Sequence, residues 1–148
     1  MAGRNARARG TTRIAPMILA LDSSALLCIF NNEPGADAWL EALVGARRQG
    51  PLIVCEVVYA ELAPAFPEQD ELQSALSRLG AWFDPIQSQA AWLTGSTFKT
   101  YRRAGGPREP LIPDFLIAAH AQVQADRLAA TDRGYLRKYF PELALLRP

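Results

Sequence analysis

Met17-Ile18-Leu19-Ala20-Leu21-Asp22-Ser23-Ser24-Ala25-Leu26-Leu27 decides how this chain is read. A short apolar run closes on an acid, two hydroxyl residues follow, and apolar residues then resume. Such a run bounded by polar residues reads as a buried strand, and an acid or Ser before renewed apolar spacing reads as a helix start. The stretch therefore predicts a strand over 17–22 and a helix from Ser24 to about Asn32, closed by the turn at 31–35.

The same alternation continues downstream. A helix over 36–49 ends in Arg47-Arg48 and Gly50, cations and a glycine that suit a helix C-terminus. Leu52–Cys55 is a second strand, followed by a helix over 56–62 that Pro64 must end or bend. Residues 68–79 form another amphipathic helix stopped by Gly80, and 82–86 a short third strand. A long helix covers 87–103, and Ala104-Gly105-Gly106-Pro107-Arg108-Glu109-Pro110 is the clearest loop. A helix over 113–125, a strand over 127–130, a short helix over 133–139 and a last strand over 143–146 complete the order. Strands alternating with helices imply βαβ crossovers and an α/β fold with a mainly parallel sheet.

At 148 residues, 49% of them hydrophobic, the chain suits one domain with a sizeable core. No apolar run approaches the roughly 20 residues that span a bilayer, so no membrane segment is expected. Cys28 and Cys55 sit in apolar stretches and read as packing thiols in a reduced cytoplasm rather than a disulfide framework. Residues 1–16 carry Arg4, Arg7, Arg9 and Arg13 and no acid, so the formal +1 of the chain becomes −3 over 17–148. That segment reads as a disordered basic extension, or as a start placed ahead of Met17. The sharper alternative is an arm that touches nucleic acid.

Four acids stand where strand gives way to helix or close after it: Asp22, Glu61, Asp114 and Asp132. Groups just past the strand ends of an open α/β sheet converge on a crevice. Clustered acids repel and are costly to desolvate, so a group of this kind usually holds a hard divalent cation. Oxygen ligands without His or Cys select Mg²⁺ or Mn²⁺ over zinc or iron. Each acid alone has a structural reading. Asp22 and Asp114 are good helix caps, Asp132 a good turn residue, and Glu61 an ordinary helix position. Glu61 is the hardest to dismiss, because Val57, Val58 and Leu62 place it on a segment expected to be buried.

Taken together, Leu21-Asp22-Ser23-Ser24-Ala25-Leu26-Leu27, Val57-Val58-Tyr59-Ala60-Glu61-Leu62, Pro113-Asp114-Phe115-Leu116-Ile117-Ala118-Ala119-His120-Ala121 and Thr131-Asp132-Arg133-Gly134-Tyr135 resemble the four motifs of PIN-domain ribonucleases. A single short domain of this kind resembles a VapC-type toxin of a toxin–antitoxin pair, over residues 17–148. The resemblance implies a three-layer α/β/α sandwich around a parallel sheet of four or five strands. It implies an acidic metal pocket of Asp22, Glu61, Asp114 and Asp132, with Ser24 hydrogen-bonding inside it. The implied reaction is Mg²⁺- or Mn²⁺-dependent endonucleolytic hydrolysis of RNA. Asp22 and Asp114 are the direct ligands in this reading, and Glu61 and Asp132 complete the shell or hold a second ion.

The implied partners are RNA, an inhibitory antitoxin and a second copy of the chain. Leu26, Ile29, Phe30, Trp39 and Leu43 are read as exposed apolar candidates for an interface. Two positions depart from the family pattern. Ala130 stands where relatives often carry Thr or Ser, and Thr131 should point to the other side of the strand. Cys55 stands where relatives often have Ser, which weakens a helix cap.

Lys99, Arg102, Arg103 and Arg108 flank the glycine-proline loop, and Arg133, Arg137 and Lys138 follow the last acid. Solvated helix surface is their plain reading. Arg102, Arg103 and Arg133 are the candidates for an RNA backbone rim. His120, the sole histidine, falls about 240° round the helix from Asp114 and should face away from the acids in a surface or partly buried structural role. Trp39, Trp82 and Trp92 read as core or interface.

A haloacid-type phosphatase would need a second Asp where Ser24 stands, and a receiver domain would need paired acids near the first strand. The alternatives kept are a PIN-like RNA-binding or assembly module and a nuclease of RNA maturation that is not a toxin.

Overall fold

Leu19–Leu21 (β1), Leu52–Val54 (β2), Ala81–Phe83 (β3), Arg127–Ala129 (β4) and Ala144–Leu146 (β5) form one parallel sheet in the order β3-β2-β1-β4-β5. The computed structural model describes residues 15–106, 112–131 and 134–148. Leu19 is level with Leu52 and Arg127, and Leu21 with Ala129. β1 and β2 are buried at every position. That is why they read as unbroken apolar runs, as strands covered on both faces do.

Seven helices flank the sheet among the described residues: Ser23–Phe30 (α1), Ala36–Arg47 (α2), Glu56–Leu62 (α3), Gln69–Leu79 (α4), Ser88–Arg103 (α5), Ile112–Gln124 (α6) and Tyr135–Tyr139 (α7). Pro64 ends α3 by turning the chain into a 3-10 turn over Ala63–Ala65. Gly80 ends α4 in the left-handed region, φ 75°, with its N–H bonded to the Leu76 and Ser77 carbonyls. Parallel crossovers are right-handed, which puts the helices joining β1, β2 and β3 on one face and those joining β3, β4 and β5 on the other.

On the second face Phe115 of α6 is fully buried and gathers five rings around it. Phe98 and Tyr101 come from α5, Tyr135 and Tyr139 from α7, and Phe140 from the residue after it, all with centroids 5.4–6.1 Å from that of Phe115. On the first face Trp39, Leu43 and Ala46 form the inner stripe of α2, with Leu26 of α1 beside them in the same core. Leu26, Trp39 and Leu43 are therefore core residues and not exposed interface candidates. The spacing that makes them amphipathic also turns them inward. Ile29 and Phe30 are half-buried, and Phe30 meets Phe66 edge-on at 5.4 Å.

Trp82, on an edge strand, and Trp92, on α5, are 62% and 79% exposed, so neither is core. The third strand starts one residue earlier than expected and stops at Phe83. Asp84 N–H still reaches the Val54 carbonyl at 2.8 Å, but Pro85 has no N–H to extend the ladder.

His120 is more buried than expected, at 1% exposure, with Nε2 2.9 Å from Asp84 Oδ2. Gln124 Nε2 donates to the same oxygen at 2.8 Å and to the Pro85 carbonyl at 2.9 Å, and Gln124 Oε1 accepts from Gln87 N at 2.8 Å. These bonds bolt the segment after β3 to the C-terminal half of α6. A histidine with this partner acts in structure, as its helical phase from Asp114 anticipates.

Cys55 occupies the N-cap of α3 in extended conformation, and its side chain makes no capping bond. Burial pushes its thiol above the ordinary thiol range, outweighing the nearby Val58 and Val57 amides. A raised folded value favours the neutral thiol, so this stability is full below the unfolded pKa and is lost as pH rises through the folded one. Cys55→Ser supplies a cap and removes the titrating group. It is expected to stabilise the fold by about 1 kcal/mol at neutral pH, with a margin over the parent that widens in alkali. Urea unfolding at neutral and alkaline pH measures both.

Candidate active site

The strand order reverses at β1. The chain steps from β1 to β2 to β3, then crosses back to lay β4 on the other side of β1. Such a switch opens a crevice at the carboxyl ends of the two strands. Asp22 is the first residue past β1, and its N–H donates to the Ala129 carbonyl at the end of β4, at 3.0 Å. The backbone that carries the carboxylate is thereby fixed to both lips of the crevice.

The Asp22 side chain caps α1. Its Oδ2 accepts from Ser24 N at 3.4 Å and from Ser24 Oγ. Both bonds fall on Oδ2 and leave Oδ1 unused by hydrogen bonds among the described residues. Capping and site geometry are here one arrangement: the bonds that start α1 also orient the carboxylate.

Glu61 lies in the last turn of α3, where Ser23 Oγ donates to its Oε1 at 2.9 Å. The residue is exposed, contrary to the expectation of a buried segment. Val58 and Leu62 are fully buried. Glu61 lies about 80° off the direction they share at 100° per residue, far enough to leave the core. Its contact with Ser23 follows from the packing of α1 against α3. Sequence reasoning singled out Ser24 and passed over Ser23. The signal was present, since two successive hydroxyl residues after a strand-end acid can serve two different carboxylates.

Asp114 is half-buried in the first turn of α6. α6 leads almost directly into β4, so it runs against the strands and begins at their carboxyl edge. It packs on β1, β4 and α3, the elements that carry or flank Asp22 and Glu61. Asp132 and Arg133 lie outside the described residues, as do Arg108 and the basic segment 1–14. Ala130 is buried and Thr131 exposed, the alternation that keeps the Thr131 hydroxyl off the inner side.

Arg102 Nη1 donates to the Gly106 carbonyl at 2.9 Å and holds the turn after α5, while Arg103 is exposed. The donors meeting at the crevice are carboxylate and hydroxyl oxygens, a set that suits a hard divalent cation. Among the described residues no group of three or more His, Cys, Asp or Glu side chains is assembled to hold a metal. Each of the two acids is held by its own hydroxyl of α1, Asp22 by Ser24 and Glu61 by Ser23.

No curated protein sequence matches this chain. Solved structures match it over most of its length at low identity. A VapBC2 structure from Rickettsia felis, bound to a DNA fragment from their promoter, aligns over 89% of this chain and 99% of the matched chain at 18% identity and a TM-score of 0.71. VapBC-1 from nontypeable Haemophilus influenzae aligns over 88% and 98% at 20% identity and a TM-score of 0.63. FitAcB from Neisseria gonorrhoeae aligns over 88% and 96% at 20% identity and a TM-score of 0.56. At these identities the likeness is one of fold. The PIN domain pattern itself spans residues 19–141, from the first strand to the residue after Phe140. By that match, which covers most of the chain from β1 to just past the end of α7, the chain belongs to the PIN domain family.

Proposed function

We propose that this chain is a Mg²⁺- or Mn²⁺-dependent endoribonuclease that acts as the toxin of a toxin–antitoxin pair. One observation supports the reading: the adjacent Ser24 and Ser23 bond Asp22 and Glu61, which are distant in sequence, and the helix bearing Asp114 packs on β1 and on α3. Membership of a nuclease family supports hydrolysis. The VapBC assemblies that share the fold support an antitoxin partner.

Asp22 and Asp114 would be the direct ligands, with Glu61 and Asp132 completing the shell. A bound ion would polarise a phosphoryl oxygen and lower the pKa of the attacking water. Ser24 keeps Asp22 oriented, and Ser23 does the same for Glu61. Arg103 and Arg133, with the spare donors of Arg102, would take RNA phosphates. Homodimers and a cytoplasmic location belong to the same reading. It is compatible with the finding that no described helix is long and apolar enough to cross a membrane.

Ser23→Ala should lower kcat about tenfold with little change in KM, the size expected when a group that orients a ligand is lost. The test of the reading as a whole is RNA cleavage by purified, inhibitor-free protein with Mg²⁺ or Mn²⁺ against EDTA, with Asp114→Asn as control. Discrete cuts that need metal and vanish in the variant are expected. Folded protein that cuts nothing with either ion contradicts the nuclease reading.

A further inference from the structure

Trp92 stands 79% exposed on α5, the only large apolar side chain that this helix leaves in solvent. Ser96, Lys99 and Arg103 lie within about 40° of it at 100° per residue, and all three are exposed. Ala90, Thr94 and Tyr101 form the buried face opposite. α5 carries Lys99, Arg102 and Arg103 and no acid, although the chain from Met17 onward is acidic overall. Neither Lys99 nor Arg103 has an ion-pair partner among the described residues.

Gly95 lies beside the indole. Glycine is the poorest helix former after proline. Neither backbone nor packing requires it here, since its φ is not positive and a Cβ would meet nothing within 4 Å. Its effect is a shallow recess of about 340 Å³ against Trp92, bounded by Ala91, Ser96 and Lys99. A flat group can lie over Gly95 against the ring. α5 runs antiparallel to α6: Gln87 N bonds Gln124 at one end, and the Tyr101 ring lies 5.6 Å from that of Phe115 towards the other. Phe115 adjoins Asp114, so the stripe runs about 16 Å from Trp92 to Arg103 with its cationic end towards the crevice.

The chemistry of the stripe selects its occupant. A folded partner or a second copy would bury roughly 800 Å² around an apolar centre. α5 supplies one ring, with Ser88, Ser96 and Lys99 about it. A duplex offers phosphates to the cations but no open base face to the indole. We infer that the outer face of α5 holds single-stranded RNA flanking the bond to be cut. An unpaired base stacks on Trp92 over Gly95, and phosphates meet Lys99 and Arg103. The inference deepens the RNA half of the proposed function and rests on that half.

The test measures binding of a short fluorescein-labelled single strand of mixed sequence by the full chain in EDTA, against a hairpin duplex of the same length. The single strand should bind more tightly than the hairpin. Trp92→Ala and Lys99→Glu/Arg103→Glu should each weaken it about tenfold, and Trp92→Phe, which keeps a stacking face, should retain most of the affinity. Gly95→Leu should weaken binding by a similar factor while raising Tm, because leucine is the better helix former. Parent and Trp92→Ala should sediment alike. Binding that is absent, unchanged by Trp92→Ala or Gly95→Leu, or equal for the hairpin overturns the inference. So does a Trp92→Ala chain that loses RNA only by changing its oligomeric state, which would give the ring to a second copy. No readout depends on cleavage. A chain that cuts RNA and fails these tests refutes the inference alone, and one that passes them and cuts nothing upholds it without the nuclease reading.

Discussion

Asp22→Asn is expected to lower RNA cleavage about 10³-fold while leaving the fold in place. The two effects separate because Asp22 does two jobs. Its side chain caps α1 through Ser24, and asparagine caps helices about as well as aspartate. In the proposed function the negative charge holds the cation, and a neutral amide is a poor ligand for a hard cation. Asp22→Ala should lose both functions, with a further stability cost of about 1 kcal/mol from the missing cap. Cleavage rates and melting curves of the two variants check the separation. If Asn and Ala lower stability equally, the capping bond to Ser24 contributes little. If Asn retains cleavage, Asp22 is not a ligand.

Phe115→Ala is expected to cost about 3–5 kcal/mol, the range for emptying a buried aromatic site. Its ring lies among Phe98, Tyr101, Tyr135, Tyr139 and Phe140, so truncation removes contacts to α5, α7 and the chain after α7 together. Against a total stability of about 5–15 kcal/mol this is a large fraction. For a chain of this length it corresponds to a fall of about 10 °C in Tm. Trp92→Ala removes a larger ring that is 79% exposed and should change Tm by no more than a degree or two. Calorimetry of the pair measures the contrast. Because Phe115 adjoins Asp114, its loss should also cut activity, in step with the folded fraction.

The element order was legible because the central strands are short and buried on both faces, while Gly80 and Pro64 end their helices by backbone chemistry that any sequence shows. Asp22 was legible for the same reason, as the acid that closes β1 and opens α1. What sequence could not supply was long-range packing. Nothing local says that Ser23 meets Glu61, 38 residues on, or that α2 shows the core Trp39 and Leu43 and leaves Leu40 and Val44 outside. The period of α2 defines two candidate faces, and only its packing on α1 chooses between them. Phase alone points His120 away from the acids, but its buried pairing with Asp84, the residue after β3, is a contact 36 residues away in sequence. Glu61 was misjudged in burial because two of its apolar neighbours point inward from a different side of the same helix.

The most direct test of the central claim is cleavage of RNA in ¹⁸O-labelled water with Mn²⁺, followed by mass analysis of the new ends. Hydrolysis by water at a metal-loaded acidic crevice predicts a single ¹⁸O on a 5′- or 3′-terminal phosphate, no cyclic phosphate, and loss of all product with EDTA or Asp114→Asn. A 2′,3′-cyclic phosphate free of label, formed equally well in EDTA, would mean that the RNA's own 2′-hydroxyl attacks without metal, and would contradict the account.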